Sequence, residues 1–279
     1  MLDHAKQIKS MKLYTHIERV MNELAELGKT ENDALTVAEL NAFDQMHYHG
    51  TTAVDYAINA MQINPGSKVL EIGSGFGGCA RHLAATSGAH ITALELQPDQ
   101  DQLAGALSAR CGLSDRVQHA CGDFLDNPLQ GRNFDHIVSW LAIFHIPDRI
   151  RLLQISKDLL NTGGMFFAED MYCRREMEAD EHDELATGMY AAYLPDFDQY
   201  KKDFTESGFE IIECEDMSDN WTDFTSERLQ NYRDSRERQI RVHDEETFQA
   251  MEEFYDLVNR HFRSGKLGGV RILARKLGE

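Results

Sequence analysis

The chain has 279 residues, with 47 aspartates and glutamates against 28 lysines and arginines, giving a formal charge of −19 at pH 7. Lacking a basic stripe to neutralise phosphates, it is excluded as a binder of nucleic-acid backbones. No window approaches the ~18 apolar residues of a membrane span, and the opening MLDHAKQIKS has no apolar signal core, so a cytoplasmic protein without a membrane partner is expected.

The acidic residues are spread along the whole chain, which suits a solvating surface; attraction of a cationic substrate is the sharper alternative. Five cysteines (Cys79, Cys111, Cys121, Cys173 and Cys214) are odd in number and never spaced as CxxC. They read as reduced, buried thiols, and no metal site is expected.

In chain order, the first 60 residues are helical in pattern, with a loop near NAFDQMHYHG. From residue 65, short apolar or β-branched runs alternate with amphipathic stretches. The runs are KVLEI (68–72), HITALEL (90–96), VQHACGD (117–123), FDHIVSW (134–140) and GMFFAED (164–170). That rhythm predicts right-handed βαβ units: an α/β, Rossmann-like parallel sheet with helices on both faces. Gly88, Gly112 and the pair Gly163–Gly164 fall where helix C-caps belong. Residues 171–195 are acidic and methionine-rich and predict no strand. A helix near 196–207, the strand FEIIECE (209–215), a charged helical stretch over 217–262 and the strand GGVRILARK (268–276) follow. The insertions at about 171–200 and 217–262 read as a helical cap on a domain spanning 61–279. Residues 1–60 form a helical region expected to close over a cofactor.

The chemistry begins at VLEIGSGFGG, Val69 to Gly78. Its glycines satisfy two patterns, the dinucleotide fingerprint (Gly73, Gly75, Gly78) and an E-x-G-x-G-x-G loop (Gly73, Gly75, Gly77). Glu71, at the end of the first strand, discriminates between them. A carboxylate beside a pyrophosphate on a helix N-terminus costs Coulomb energy. S-adenosylmethionine (SAM) has no phosphate and carries an ammonium and a sulfonium. Glu95, about 20 residues past the glycines, ends the second strand where ribose hydroxyls are received, next to Leu96. Gly122-Asp123-Phe124 ends the third; an Asp can bond the exocyclic amine of adenine and an aromatic can cover its face.

With these motifs and the tail strand, residues 40–279 resemble class I SAM-dependent methyltransferases. The resemblance implies a seven-stranded sheet whose last strand is antiparallel, SAM as cofactor and S-adenosylhomocysteine as product. Ser139 and Trp140, closing the fourth strand, join the cofactor set. A dehydrogenase on a similar sheet is the competing class.

The segment SWLAIFHIPD (Ser139 to Asp148) is similar to the S-x-D-A-x-x-H-x-x-D stretch of sarcosine/dimethylglycine and phosphoethanolamine N-methyltransferases. Carried over, His145 becomes the candidate base, working with a tyrosine from the N-terminal region. The acidic position of that pattern falls on Leu141 here, a departure that weighs against a phosphoethanolamine acceptor. FDQMHYHGTTA (43–53) resembles the loop that covers the methionine end of SAM, or is simply a helix packed on the sheet. It nominates Tyr48, His49 and His47, with Tyr14 more distant.

In the cap, Met171, Tyr172, Met189, Tyr190, Tyr193 and Trp221 could wrap a methylated ammonium by cation–π contact or be plain cap core. Substrate candidates are Leu141, Met171, Tyr190, Tyr193 and Trp221. Arg174 and Arg175 could hold a carboxylate or lie solvated. The expected partner is a small molecule, most simply an amine nitrogen. An oxygen, carbon or sulfur acceptor in a specialised metabolite, and a non-catalytic SAM-binding protein, stay open, as does a homodimer.

Overall fold

The computed structural model describes residues 16–278; Tyr14 lies outside them. Among the described residues three helices precede the sheet: α1 (Glu18–Glu26), the short α2 (Val37–Leu40) and α3 (Gly50–Met61). α2 starts in a capping box, where Thr36 accepts from the Glu39 N–H and the Glu39 carboxylate accepts from the Thr36 N–H.

The βαβ series then runs β1 (Lys68–Ile72), α4 (Gly78–Ser87), β2 (His90–Glu95), α5 (Pro98–Arg110), β3 (Val117–Cys121), β4 (Phe134–Trp140), α6 (Arg149–Leu159) and β5 (Leu160–Cys173). β1, β2 and β4 are buried along nearly their whole length, as strands covered on both faces must be. After β5 come α7 (Ala179–Gly188), α8 (Phe197–Glu206), β6 (Phe209–Asp216), α9 (Ser218–Asp234), α10 (Arg236–Val242), α11 (Glu245–Arg263) and β7 (Leu267–Lys276).

The seven strands order as β3-β2-β1-β4-β5-β7-β6, with β7 antiparallel to both neighbours. This is the sheet that the resemblance implies. The order reverses between β1 and β4, where open α/β sheets leave a crevice beyond the strands' carboxyl ends.

Two local expectations are corrected. β5 continues to Cys173, inside the segment expected to lack a strand, because its outer half pairs with β7 as far as Cys173 opposite Leu267. Gly163 and Gly164 do not cap a helix. α6 ends at Leu159, and the glycines sit in β5, where the register with β4 slips after Phe134 pairs with Leu160 and resumes at His136 with Met165.

A cap core of Tyr48, Phe144, Met171, Met189, Met217, Trp221, Met251, Val258 and Phe262 lies over the carboxyl edge of the sheet. In α11 the inward residues Phe248, Met251, Tyr255, Val258 and Phe262 recur every three or four positions, the stripe of a helix buried along one face. Trp221, wholly buried, rests on β7 at Gly269; a Cβ there would come within 2.4 Å of the indole, so glycine is what admits the ring.

Candidate active site

One cavity opens at the carboxyl ends of β1 to β5, with about 1400 Å³ of empty space counted out to its mouth. Its floor is the glycine loop. Gly73, Gly75 and Gly77 all have positive φ (75°, 53° and 76°), and the Gly73 and Ser74 N–H groups donate to the Leu94 carbonyl at 2.9 and 3.0 Å. A Cβ on Gly73 would stand 2.3 Å from the Ala142 Cβ, so the loop after β1 and the loop after β4 meet with no room for a side chain.

The acids divide the floor. Glu71 is buried at the end of β1, and burial pushes its carboxyl up to about 8; its Oε2 has no hydrogen-bond partner among the described residues. Buried Ser74 Oγ and Trp140 Nε1 are likewise unpartnered among those residues. Such groups are rare unless a ligand completes them. Glu95 accepts from the Gly75 N–H at 2.8 Å and the Gln97 N–H at 3.0 Å, one bond to each oxygen, so both oxygens are oriented and each keeps a lone pair. Asp123 accepts from the Leu125 N–H at 2.9 Å, opening a short 3-10 turn that buries Phe124. An ammonium at Glu71, a ribose diol at Glu95 and an adenine at Asp123–Phe124 match these donor and acceptor sets. The residues present therefore fit SAM.

The wall after β4 is a 3-10 turn, Ile143–His145. It is held from behind by a buried network. Asp170 accepts from the Phe144 N–H at 3.1 Å, from Arg149 at 3.1 Å and from the Tyr200 hydroxyl at 3.0 Å, while Arg149 also donates to the Ile143 carbonyl at 3.3 Å. From the cap side, the Ala192 and Tyr193 N–H groups donate to the Phe144 carbonyl, both at 3.0 Å. His145 Nδ1 donates to the Tyr190 carbonyl at 3.0 Å, a bond that places the ring's lone pair on Nε2. Burial brings its pKa down to about 4, so the imidazole is neutral at physiological pH. Leu141 precedes the turn with φ 50°, a left-handed conformation uncommon for a leucine.

The candidates sort cleanly by position. Glu71, Gly73, Ser74, Gly75, Glu95, Leu96, Gly122, Asp123, Phe124, Trp140, Leu141, His145, Met171 and Tyr48 line the cavity, as does His47. Gly77 and Ser139 support it from behind, Ser139 by donating to the Ile72 carbonyl at 2.9 Å. His49 does not line it; the ring hydrogen-bonds Asn220 Oδ1 at 2.6 Å and leans on Phe224. Tyr190 contributes its carbonyl, which accepts from His145. Tyr193 reaches Asp203 at 2.8 Å, and Trp221 packs inside the cap core, edge-on to Tyr48 with ring centroids 4.7 Å apart. Arg174 is engaged by Asp219 at 3.0 Å and Arg175 packs against Gly265, so neither lines the cavity.

Sequence reasoning missed the cap's own wall: Thr225 and Arg228 on α9, and Phe254, Tyr255 and Val258 on α11. A signal was present. Arg228 follows Trp221 by seven residues, on the same helix face, and Tyr255 sits on the apolar stripe of α11.

Fold and site together define a Rossmann-like methyltransferase architecture with a SAM-shaped floor. Residues 35–272 match the family model described as mycolic acid cyclopropane synthetase, and the chain belongs to this family of class I SAM methyltransferases. A glycine/sarcosine/dimethylglycine N-methyltransferase of Actinopolyspora halophila is 29% identical over 159 residues, 57% of this chain and 28% of that protein. A sterol 24-C-methyltransferase of Gibberella zeae is 29% identical over 169 residues, 58% of this chain and 44% of that protein. The chain thus spans less than half the length of these two relatives. Among solved structures, a phosphoethanolamine N-methyltransferase 2 of Haemonchus contortus in complex with SAM superposes with a TM-score of 0.81 at 17% identity, covering 100% of this chain and 61% of that one. Among the described residues, no helix is long and apolar enough to cross a membrane.

Proposed function

We propose that the protein transfers a methyl group from SAM to the nitrogen of a small-molecule amine. The observation that carries this is the neutral imidazole of His145, fixed by the Tyr190 carbonyl with its lone pair on Nε2, in the wall of the cavity whose floor fits the cofactor. SAM, when bound, supplies the methyl group in activated form. The chain's own work is orientation and exclusion of water. Glu71 receives the ammonium of the cofactor, Glu95 its ribose and Asp123 its adenine amine, while residues through about 60 close over it. Asp44, Met46, His47 and Tyr48 already stand in that wall.

A base with a pKa of about 4 cannot draw a proton from an alkylammonium, whose pKa is roughly 10, at equilibrium. The acceptor nitrogen therefore enters neutral, and His145 Nε2 accepts a hydrogen bond from an acceptor N–H, aiming the nitrogen lone pair at the methyl group; the proton of the alkylammonium product leaves to solvent after transfer. Two results are expected. With an amine acceptor, kcat/KM rises with pH as the free amine deprotonates, with no separate inflection between pH 6 and 7 from His145. His145→Ala lowers kcat by roughly 10²-fold, the scale of lost positioning, and leaves SAM affinity, read by calorimetry, near wild type. Unchanged turnover in that variant removes His145 from the chemistry.

A second reading, methyl transfer to oxygen, carbon or sulfur, is favoured by the apolar wall of Met46, Leu141, Phe144, Met171 and Met189. A panel of glycine, sarcosine, dimethylglycine, phosphoethanolamine and aromatic acceptors separates the two by which member releases S-adenosylhomocysteine.

A further inference from the structure

The cavity's cap side carries a cation that no carboxylate among the described residues neutralises. Arg228 lines the cavity from α9, and among the described lining residues it is the one guanidinium or ammonium. It donates to the Tyr255 hydroxyl at 3.2 Å, and its guanidinium carbon stands 4.5 Å from the centroid of the Tyr255 ring. That stacking sets the orientation of a planar fork with four further N–H donors. No carboxylate pairs with it among the described residues.

Three of the four acids that share the cavity are already committed, and the fourth, Glu71, lies on the floor. Asp44 holds the buried Arg81 at 2.8 Å, Glu95 and Asp123 accept backbone N–H groups, and Glu71 lies at the end of β1 on the floor. The rest of the cap-side lining on α9 and α11 is apolar or uncharged: Thr225, Phe254, Tyr255 and Val258. The guanidinium acts electrostatically on the wall opposite, favouring deprotonation of Tyr48 and His47 against or alongside their burial.

A half-buried, uncompensated cation beside apolar surface is costly, and a bound anion relieves that cost. The rest of the molecule works the other way. At −19 its far field repels anions, so this cation does not serve general attraction and acts by local recognition.

We propose that Arg228, oriented by Tyr255, is a specificity residue that holds an oxyanion, a carboxylate or a phosphate monoester, at the end of the acceptor remote from the atom that is methylated. The proposal rests on the methyl-transfer reading for the identity of the site, but anion binding itself is measurable without turnover. Because Arg174 and Arg175 are engaged elsewhere, the clamp comes from the second cap insertion rather than the first.

The test uses the full chain loaded with S-adenosylhomocysteine, and calorimetric titration with dimethylglycine against dimethylglycinamide, and phosphoethanolamine against ethanolamine. The wild type is expected to bind the charged member of one pair roughly 10- to 100-fold more tightly, the range of hydrogen bonds to charged groups. Arg228→Gln erases that preference, Arg228→Lys keeps part of it, and SAM affinity stays within about two-fold in both, which also shows that the variants fold. A preference confined to the first pair identifies a carboxylate ligand, and one confined to the second identifies a phosphate. Equal binding of charged and neutral members, or a preference that survives Arg228→Gln, overturns the clamp. Methylation of an amine without charge preference leaves the methyl-transfer reading standing and removes the clamp. Arg228-dependent anion binding with no methylation of any panel member does the reverse. If no member binds or reacts, both fall.

Discussion

Glu71 poses the sharpest problem at the scale of a single residue: a carboxyl raised to about 8 by burial, in a position whose chemistry calls for a carboxylate. Its folded pKa lies above the unfolded value, so the folded chain without cofactor binds the extra proton. Stability from this group is complete below about pH 4.5 and is lost as pH rises through about 8. An ammonium placed at Oε2 favours the ionised form, so cofactor binding at pH 7 should expel a proton and affinity should rise with pH toward 8. Calorimetry of SAM binding in two buffers of different ionisation heat reads this directly. Glu71→Gln is expected to abolish the proton release and weaken binding by roughly 10- to 100-fold, while flattening the alkaline loss of stability. Proton uptake by the wild type would count against this account. Glu71 was legible in the sequence because a charge beside a phosphate is costly, and an argument of that kind needs only neighbours along the chain. Arg228 was not legible, since what matters there is the lack of an acid across the cavity, and only the folded chain reveals which acids are already bonded.

Elements tell a similar story with a different physical cause. The sheet was readable nearly strand by strand, since buried parallel strands write themselves as continuous apolar runs. The ends of β5 were not, because its extension to Cys173 depends on pairing with β7 across roughly a hundred residues of sequence. Helix α10 likewise gives no hint of its partner. Arg238 and His243 bind Glu23, and Arg241 binds Glu26, so the second cap insertion is tied to α1 near the N-terminus. Burial raises the Glu23 carboxyl, but hydrogen bonds from His243 and Arg238 outweigh it and bring the pKa down to about 2. The tie is therefore complete above about pH 4.5 and is lost as pH falls toward 2. Of these pairs Arg241–Glu26 is the exposed one, and surface pairs of that kind are worth only about 0–1 kcal/mol each and are screened within ~10 Å at 0.1 M salt. Glu26→Gln should accordingly leave global unfolding almost unchanged while speeding amide hydrogen exchange in α1 and α10, and added KCl should reproduce that effect in the wild type. A large loss of global stability would show that the tie belongs to the core instead.

For the molecule as a whole, the cap stands on the sheet through Trp221, which is fully buried where β7 offers Gly269. Trp221→Ala should cost about 3–5 kcal/mol in denaturant unfolding, the range for a large aromatic lost from a core; a cost below 1 kcal/mol would mean that the cap core closes around the gap. The contact between Gly73 and Ala142 has a wider consequence. The hairline gap between them belongs at once to the floor that fits the cofactor and to the wall after β4, where the proposed acceptor would sit. A lineage, or an engineer, that enlarges residue 142 to reshape the acceptor pocket pushes on the glycine loop at the same moment. Acceptor choice can therefore drift freely through the distant cap helices, but at this one point it is mechanically bound to the cofactor, and variation there should be sparse.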